Sequence, residues 1–380
     1  MENPFVYGKV ARGAAFADRE AEIDELMADI ASSQNVIIFS PRRYGKTSLI
    51  LEVLDRIRKQ GLLALYLDLF KVTSEEAFIA AYAKEIAGLH KGGIRSVLGK
   101  VKDLLPRLVP KVVVRSEKSG MEVEFEFDPR GERAPLLDDL FEAVATVGAK
   151  SGKRAAVVFD EFQQIADWDA VGNVERQMRA HFQLHQNVSY VFLGSKRHLM
   201  GEIFQNKNRP FYRFGKHFPL EKIPRREFAE FIQRRFTETG FRADPEAIEE
   251  VLRVTEDHPY YTQLLCHILW DRGRERKEVT TEDVRRGLEE VFFREAHAFH
   301  DLWDMLAVKA RRLLVALAKE EGSRVRLYSN DFLQKHNLGS ASSLQRAVAR
   351  LMEEEILEKV GGEYQYTDVF FKRWVRAEFA

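Results

Sequence analysis

Residues 35–54 constrain the fold more than any other stretch of the chain. Asn35-Val36-Ile37-Ile38-Phe39 is an apolar run of strand length. Ser40-Pro41-Arg42-Arg43-Tyr44-Gly45-Lys46-Thr47 follows directly, and Ser48-Leu49-Ile50-Leu51-Glu52-Val53-Leu54 opens an apolar-periodic helix. A strand that passes through a short glycine-containing loop into a helix is the context a phosphate-binding loop requires. Backbone N–H groups at the helix N-terminus hold phosphate oxygens there, and the helix dipole assists them. In that arrangement Gly45 lets the chain approach closely, Lys46 reaches the β- and γ-phosphates, and the Thr47 hydroxyl binds Mg²⁺. Ser40 stands where the pattern GxxxxGK followed by Ser or Thr has its first glycine. The alternative is an exposed basic turn before a helix.

A second element depends on the first. Val157-Val158-Phe159-Asp160-Glu161-Phe162 is an apolar strand ending in two carboxylates, the form of a Walker B element. Asp160 suits Mg²⁺ held through its water shell. Glu161 is placed to orient and deprotonate the water that attacks a γ-phosphate. Two acids that merely cap a strand in solvent are the alternative, and the loop upstream weighs against it.

Runs at 62–67, 188–193 and 217–220 complete five predicted strands, with helical patterns at 20–31, 47–59, 74–89, 134–149 and 174–185 between most of them. Strand–helix repetition of this kind implies a right-handed α/β sheet over about residues 1–220. The rhythm breaks between Leu89 and Ala134. Residues 91–118 carry eight basic side chains against Asp103 and Glu117, and Glu122, Glu124, Glu126 and Asp128 follow. Alternation at 112–115 and 121–127 around Lys118-Ser119-Gly120 predicts a β-hairpin with charges on its open face. Such an insertion is either a solvated excursion or a docking surface.

A chain of 380 residues suggests two or three domains. From Pro224 to about Val291 the pattern is helical. Helices are then predicted at 301–318, 329–335 and 340–354, before a hairpin of 356–360 and 363–367 turning on Gly361-Gly362. Three helices capped by a hairpin describe a winged helix-turn-helix. The single Cys266 rules out a disulfide framework and reads as a small buried hydrophobe. No secretory pattern and no bilayer-length apolar run is present, which points to the cytoplasm. Equal numbers of basic and acidic residues, 59 of each, argue against a surface covered in positive charge for nucleic acid.

The chain resembles the archaeal-type P-loop ATPases of the AAA+/STAND group. The resemblance rests on Asn3-Pro4-Phe5, Phe16-Ala17-Asp18-Arg19-Glu20, the loop Arg42 to Leu49, Phe159-Asp160-Glu161-Phe162, Leu193-Gly194-Ser195, His258-Pro259-Tyr260-Tyr261, Leu344-Gln345-Arg346, Tyr366-Thr367-Asp368, and Phe370-Phe371 with Trp374. It implies an α/β P-loop NTPase fold with a parallel five-stranded sheet, a helical lid and a C-terminal winged helix. The expected domains are 1–222, with an insertion at about 90–133, then 223–295 and 296–380. The resemblance also implies ATP or ADP as ligand, with Mg²⁺. Ser40, Pro41, Arg42, Arg43, Tyr44, Gly45, Lys46, Thr47 and Ser48 would then cradle the phosphates. Ser195 matches a sensor residue near the γ-phosphate. Pro259 matches the lid proline that contacts adenine, although Asp257 replaces the glycine of that motif. Asn3, Pro4, Phe5 and Arg19 match a segment that closes over the base.

Residues 194–217 hold six Lys or Arg against Glu202. Arg213 in that segment falls where this group often has an arginine sensing the γ-phosphate, in cis or from a neighbouring subunit. A solvated basic loop and a patch for nucleic-acid phosphates are the alternatives. Residues 301–380 carry 13 basic and 12 acidic side chains, a net charge of +1. That near-neutrality favours packing against the ATPase core or a protein partner over DNA reading. Together these features predict a Mg-dependent ATPase working as a nucleotide-driven switch, slow in turnover, with an unidentified protein partner or copies of itself and no membrane. A nucleotide-gated DNA-binding or scaffolding protein is the second reading.

Overall fold

The computed structural model describes residues 2–17, 19–89, 102–105, 107–114, 121–126, 133–169, 172–320 and 325–380. The chain divides into two compact units. One comprises Arg19–Ser40 and Lys46–Glu221; the other comprises Met1–Asp18, Pro41–Gly45 and Lys222–Ala380.

In the first unit, strands β1 (Val36–Phe39), β2 (Leu63–Asp68), β5 (Ala155–Asp160), β6 (Val188–Gly194) and β7 (Lys216–Pro219) form one sheet in the order β2-β5-β6-β1-β7. Every pairing in it is parallel. β5 and β6 are buried at every position. Strands covered on both faces need no polar alternation, which is why they read as continuous apolar runs. The predicted five-stranded α/β sheet is therefore what the chain builds. Helices lie against it through apolar stripes: Ile23, Leu26 and Ile30 of Glu20–Ala31, and Leu49, Ile50, Val53, Leu54 and Ile57 of Lys46–Lys59. Phe159, Phe162, Phe182, Phe192, Phe204 and Phe211 fill the core.

The insertion contributes β3 (Val109–Val114) and β4 (Met121–Glu126), paired antiparallel with Val114 opposite Met121. These are the two arms expected of a hairpin, although the first begins earlier than the alternation suggested. Lys118-Ser119-Gly120 and the positions 90–101 lie outside the described residues.

The second unit is mainly helical. Arg225–Glu238, Pro245–Thr255, Pro259–Arg272 and Thr281–Met305 are followed by Val308–Lys319, Asn330–Lys335 and Ala341–Glu353. A hairpin of Leu357–Val360 and Glu363–Tyr366 and a last helix, Val369–Phe379, complete it. Gly361 (φ +61°) and Gly362 (φ +93°) make the two-residue hairpin turn, which needs positive φ at both positions. Phe370, Phe371 and Trp374 are buried, as expected of core residues, and so is Cys266.

One predicted helix is corrected. The expected element at 301–318 is split: Thr281–Met305 ends as Leu306 turns extended (ψ 136°), and Val308 starts a new helix after Ala307 (ψ 148°). No glycine or proline marks the joint; the Arg311 guanidinium caps it, donating to the Leu306 carbonyl at 3.0 Å and to the Asp304 carbonyl at 2.8 Å. Leu306 is buried there, and its N–H bonds the Trp303 carbonyl. Among the described residues no helix is long and apolar enough to cross a membrane.

Candidate functional site

The carboxyl ends of β1, β5 and β6 lie side by side, because β6 pairs with both of the others. In parallel α/β sheets that edge is where ligands are bound. β1 ends at Phe39, and Ser40 follows it; β5 ends at Asp160, and Glu161 follows; β6 ends at Gly194, and Ser195 follows. Lys46 opens the next helix, and its Nζ donates to the Ser40 carbonyl at 3.1 Å and to Ser40 Oγ at 3.3 Å. Both residues are buried. An ammonium group at a helix N-terminus is suited to an anion. Ser48, one turn in, is buried on the same helix.

Asp160 sits at the centre of the arrangement and is 3% exposed. Its Oδ2 accepts from Thr47 Oγ1 at 2.8 Å and from the Tyr66 hydroxyl at 2.7 Å, and its Oδ1 accepts from the Glu161 N–H at 2.9 Å. Burial pushes its carboxyl above the usual carboxylate range, and the Tyr66 and Thr47 hydroxyls hold it back in part. Tyr66 in turn is driven above the ordinary phenol range by burial and by Asp160. A hydroxyl and a carboxylate oxygen in hydrogen-bond contact form a hard donor pair, which fits Mg²⁺. Among the described residues no group of three or more His, Cys, Asp or Glu is placed to hold a metal.

Glu161 adopts the left-handed conformation (φ 52°, ψ 44°), uncommon for a residue with a Cβ. Its Oε2 accepts from Ser195 Oγ at 2.7 Å and from Gln163 Nε2. The structure thus brings together Ser40, Lys46, Thr47, Asp160, Glu161 and Ser195 as the sequence suggested. It adds Tyr66 and Gln163, which sequence reasoning missed. A tyrosine in a strand and a glutamine in a turn carry no distinguishing signal.

Residues 41–45 belong to the other unit, and Arg42, Arg43 and Tyr44 make side-chain contacts there. The Arg43 guanidinium lies 4.3 Å from the Tyr260 ring centroid, and its Nη1 donates to the Tyr261 hydroxyl at 3.5 Å. Tyr44 packs edge-on against His258 at 4.9 Å, and Arg42 Nη1 meets Glu355 at 2.5 Å. Pro41 is buried. Gly45 has φ +86°, while a Cβ there would meet nothing within 4 Å in the protein itself. Backbone conformation is therefore what calls for glycine at that position.

Pro259 is the first residue of the helix Pro259–Arg272, with His258 as its N-cap. Burial, with Lys222 and Arg43 nearby, pushes His258 down to about 3, so the ring is neutral at physiological pH. The amino-terminal segment is fastened to the same helix. Asn3 Nδ2 donates to the His267 carbonyl and to Asp271, each at 3.0 Å, and the Val6 N–H bonds Gln263 at 3.2 Å. Phe5 is 1% exposed against Phe236, with Pro4 half-buried beside it. Arg19, in the sheet unit, is buried and donates to Glu22 at 2.7 Å and to the Glu221 carbonyl at 2.9 Å. Arg213 is not brought to the other candidates. It precedes β7, whose Lys216 pairs with Val36 at the amino end of β1, away from the carboxyl ends that carry Lys46 and Asp160. Its side chain is exposed, 5.3 Å from the Tyr212 ring centroid.

A family model described as an ATPase domain predominantly from Archaea matches residues 16–265. A second, described as a probable winged helix domain, matches residues 297–377. Among solved structures, a Walker-type ATPase of Pyrococcus abyssi aligns at 18% identity with a TM-score of 0.66, over 98% of this chain and 99% of that one. The ORC2 protein of Aeropyrum pernix, in its ADPNP-ADP complexes, aligns at 14% identity with a TM-score of 0.54, over 94% of this chain and 92% of the other. At these identities the likeness is one of fold. No curated protein matches the chain.

Proposed function

Because the chain belongs to the family of ATPase domains found predominantly in Archaea, we propose that it binds Mg·ATP in the cytoplasm, hydrolyses the β–γ bond slowly, and uses that cycle as a conformational switch. The observation that carries this reading is the convergence of Lys46, Thr47, Asp160, Glu161 and Ser195 at one edge of the sheet. Lys46 exchanges its contacts with Ser40 for the β- and γ-phosphate oxygens. Thr47 and Asp160 would hold Mg²⁺, which when bound would supply positive charge to those oxygens. Glu161 takes the proton of the attacking water as the new P–O bond forms and the bond to the bridging oxygen breaks. Ser195 orients the γ-phosphate from the end of β6.

The switch is supported by the course of the loop. The chain passes from the sheet unit to the helical unit at Ser40-Pro41 and returns at Gly45-Lys46. Between those crossings Arg43 and Tyr44 engage Tyr260, Tyr261 and His258, and Arg42 pairs with Glu355 next to the winged-helix hairpin. A displacement of the loop on loss of the γ-phosphate is therefore passed along the chain to residues that hold the winged helix. In this reading 1–222 is the nucleotide domain, 223–295 the lid and 296–380 the winged-helix reporter.

Calorimetry with Mg·ATP and a phosphate-release assay test the proposal. Lys46→Ala is expected to abolish binding. Glu161→Gln is expected to retain binding and lose about 10²- to 10⁴-fold in hydrolysis. Absence of ATP binding by the parent protein, or unchanged binding by Lys46→Ala, overturns it.

A further inference from the structure

We propose that Gln163 is the positioning residue for Glu161, fixing which carboxylate oxygen is presented to water; this rests on the reading of Glu161 as the base. Gln163 occupies the single turn Phe162–Gln164 that follows the left-handed Glu161, and it is 1% exposed. A side chain of this polarity is rarely buried so completely without a purpose. Its Nε2 donates to Glu161 Oε2. The opposite amide orientation would set two acceptors against each other, so the carboxylate itself fixes the orientation.

Ser195 donates to the same oxygen at 2.7 Å. Both donors thus saturate Oε2, and Oε1 has no hydrogen-bond partner among the described residues. The two donors are not equivalent. Ser195 follows β6 and is the residue assigned above to the γ-phosphate, so a bound nucleotide competes for its hydroxyl. Gln163 has no such competitor, and it keeps the carboxylate aligned when Ser195 turns away.

Two further features point to function rather than packing. Gln163 Oε1 is buried with no partner among the described residues, which costs folding free energy. Space for that oxygen is provided by Gly194, where an added Cβ would lie 2.6 Å from Gln163 Oε1 and 2.4 Å from the Met200 side chain. Gly194 is the last residue of β6. The absence of a side chain there thus leaves the carboxamide its place beside Glu161.

The test compares Gln163→Met with Glu161→Gln in the full chain, reading kcat by phosphate release, ATP affinity by calorimetry and the thermal midpoint. Methionine matches the glutamine in length and cannot donate. Gln163→Met is expected to lose about 10- to 100-fold in kcat, keep ATP affinity within about twofold, and unfold at the same or a higher temperature because an unmet buried acceptor has been removed. Gln163→Glu supplies a readout that a packing role would not move. The carboxyl group it introduces can donate to Glu161 when protonated and repels it when ionised. The activity of this variant relative to the parent is therefore expected to rise as pH falls. Parent-like kcat in Gln163→Met, alongside an inactive Glu161→Gln, overturns the role of Gln163 alone. Loss of ATP affinity or folding together with kcat in Gln163→Met, and no relative gain at low pH in Gln163→Glu, assigns it to structure and also overturns the proposal. Hydrolysis retained by Glu161→Gln removes the reading of Glu161 on which the proposal rests.

Discussion

Tyr66→Phe isolates a single interaction at the centre of the site. The substitution keeps the ring, so no cavity opens, and removes only the hydroxyl that donates to Asp160 Oδ2 at 2.7 Å. A hydrogen bond to a charged acceptor contributes about 1.5–3 kcal/mol, against roughly half that for a neutral pair. Thr47 remains as a second donor to the same oxygen, which places the expected loss toward the lower part of that range. For a domain of this size about 2 kcal/mol lowers the unfolding midpoint by roughly 4–8 °C.

The pH dependence follows from the direction of the Asp160 shift. Burial raises its carboxyl above the ordinary value of 3.8. The fold therefore disfavours the ionised form, and Asp160 detracts from stability progressively as pH rises from the unfolded pKa through the folded one. The Tyr66 hydroxyl stabilises the ionised form and limits that loss. Without it the folded pKa moves further up, so the difference between Tyr66→Phe and the parent should be largest near pH 7 and shrink toward about pH 4.5. Urea unfolding of nucleotide-free protein at the two pH values measures it. An equal difference at both, or none at pH 7, would refute the charge-assisted bond.

The Arg42–Glu355 pair is partly exposed, so either charge reversal alone should cost at most about 1 kcal/mol of stability. The reciprocal exchange, Arg42→Glu with Glu355→Arg, should recover the ATP affinity and protease resistance lost by the single variants. His181 lies between Asp138 at 2.8 Å and Glu142 at 2.6 Å. Burial lowers its pKa, but the two carboxylates outweigh that and raise it above 6.5. Its contribution is thus fully present below about pH 6.5 and lost as pH rises through the folded value. The stability gap between the parent and His181→Gln, followed by denaturant unfolding, should close between about pH 6 and pH 9 and stay within about 1 kcal/mol throughout.

What was legible in the sequence is what neighbouring residues encode. Strand, loop and helix adjoin at Val36–Lys59, and β5 runs straight into Asp160-Glu161, so both halves of the phosphate site could be read from contiguous residues. The winged-helix hairpin was equally plain, because Gly361-Gly362 specifies its turn. The break at Leu306 was not legible, since the features that mark it, a buried Leu306 and the Arg311 guanidinium on the Asp304 and Leu306 carbonyls, exist only in the folded chain. The place of Arg213 was not legible for a related reason. It precedes β7, and the sheet order, which no local residue encodes, sets the amino end of β7 beside that of β1 and leaves this arginine there.

Tyr66 and Gln163 show why the missing part of the site lay beyond sequence reading. In the β2–β5 register Tyr66 pairs with Val158 and Asp68 with Asp160. Tyr66 and Asp160 are therefore diagonal neighbours two residues apart on one face, within reach of a long side chain. A slip of one residue would move Tyr66 to the opposite face and leave Asp160 with Thr47 alone. Nothing local to either strand encodes that register; packing of the whole sheet sets it. Gln163 depends in the same way on β6, which brings Gly194 to it from 31 positions further along the chain and leaves no Cβ to contest the space. The motif residues can be recognised singly because their chemistry is their own. Tyr66 and Gln163 take theirs from the carboxylates they touch, so their roles exist only once the parallel sheet has aligned its strands.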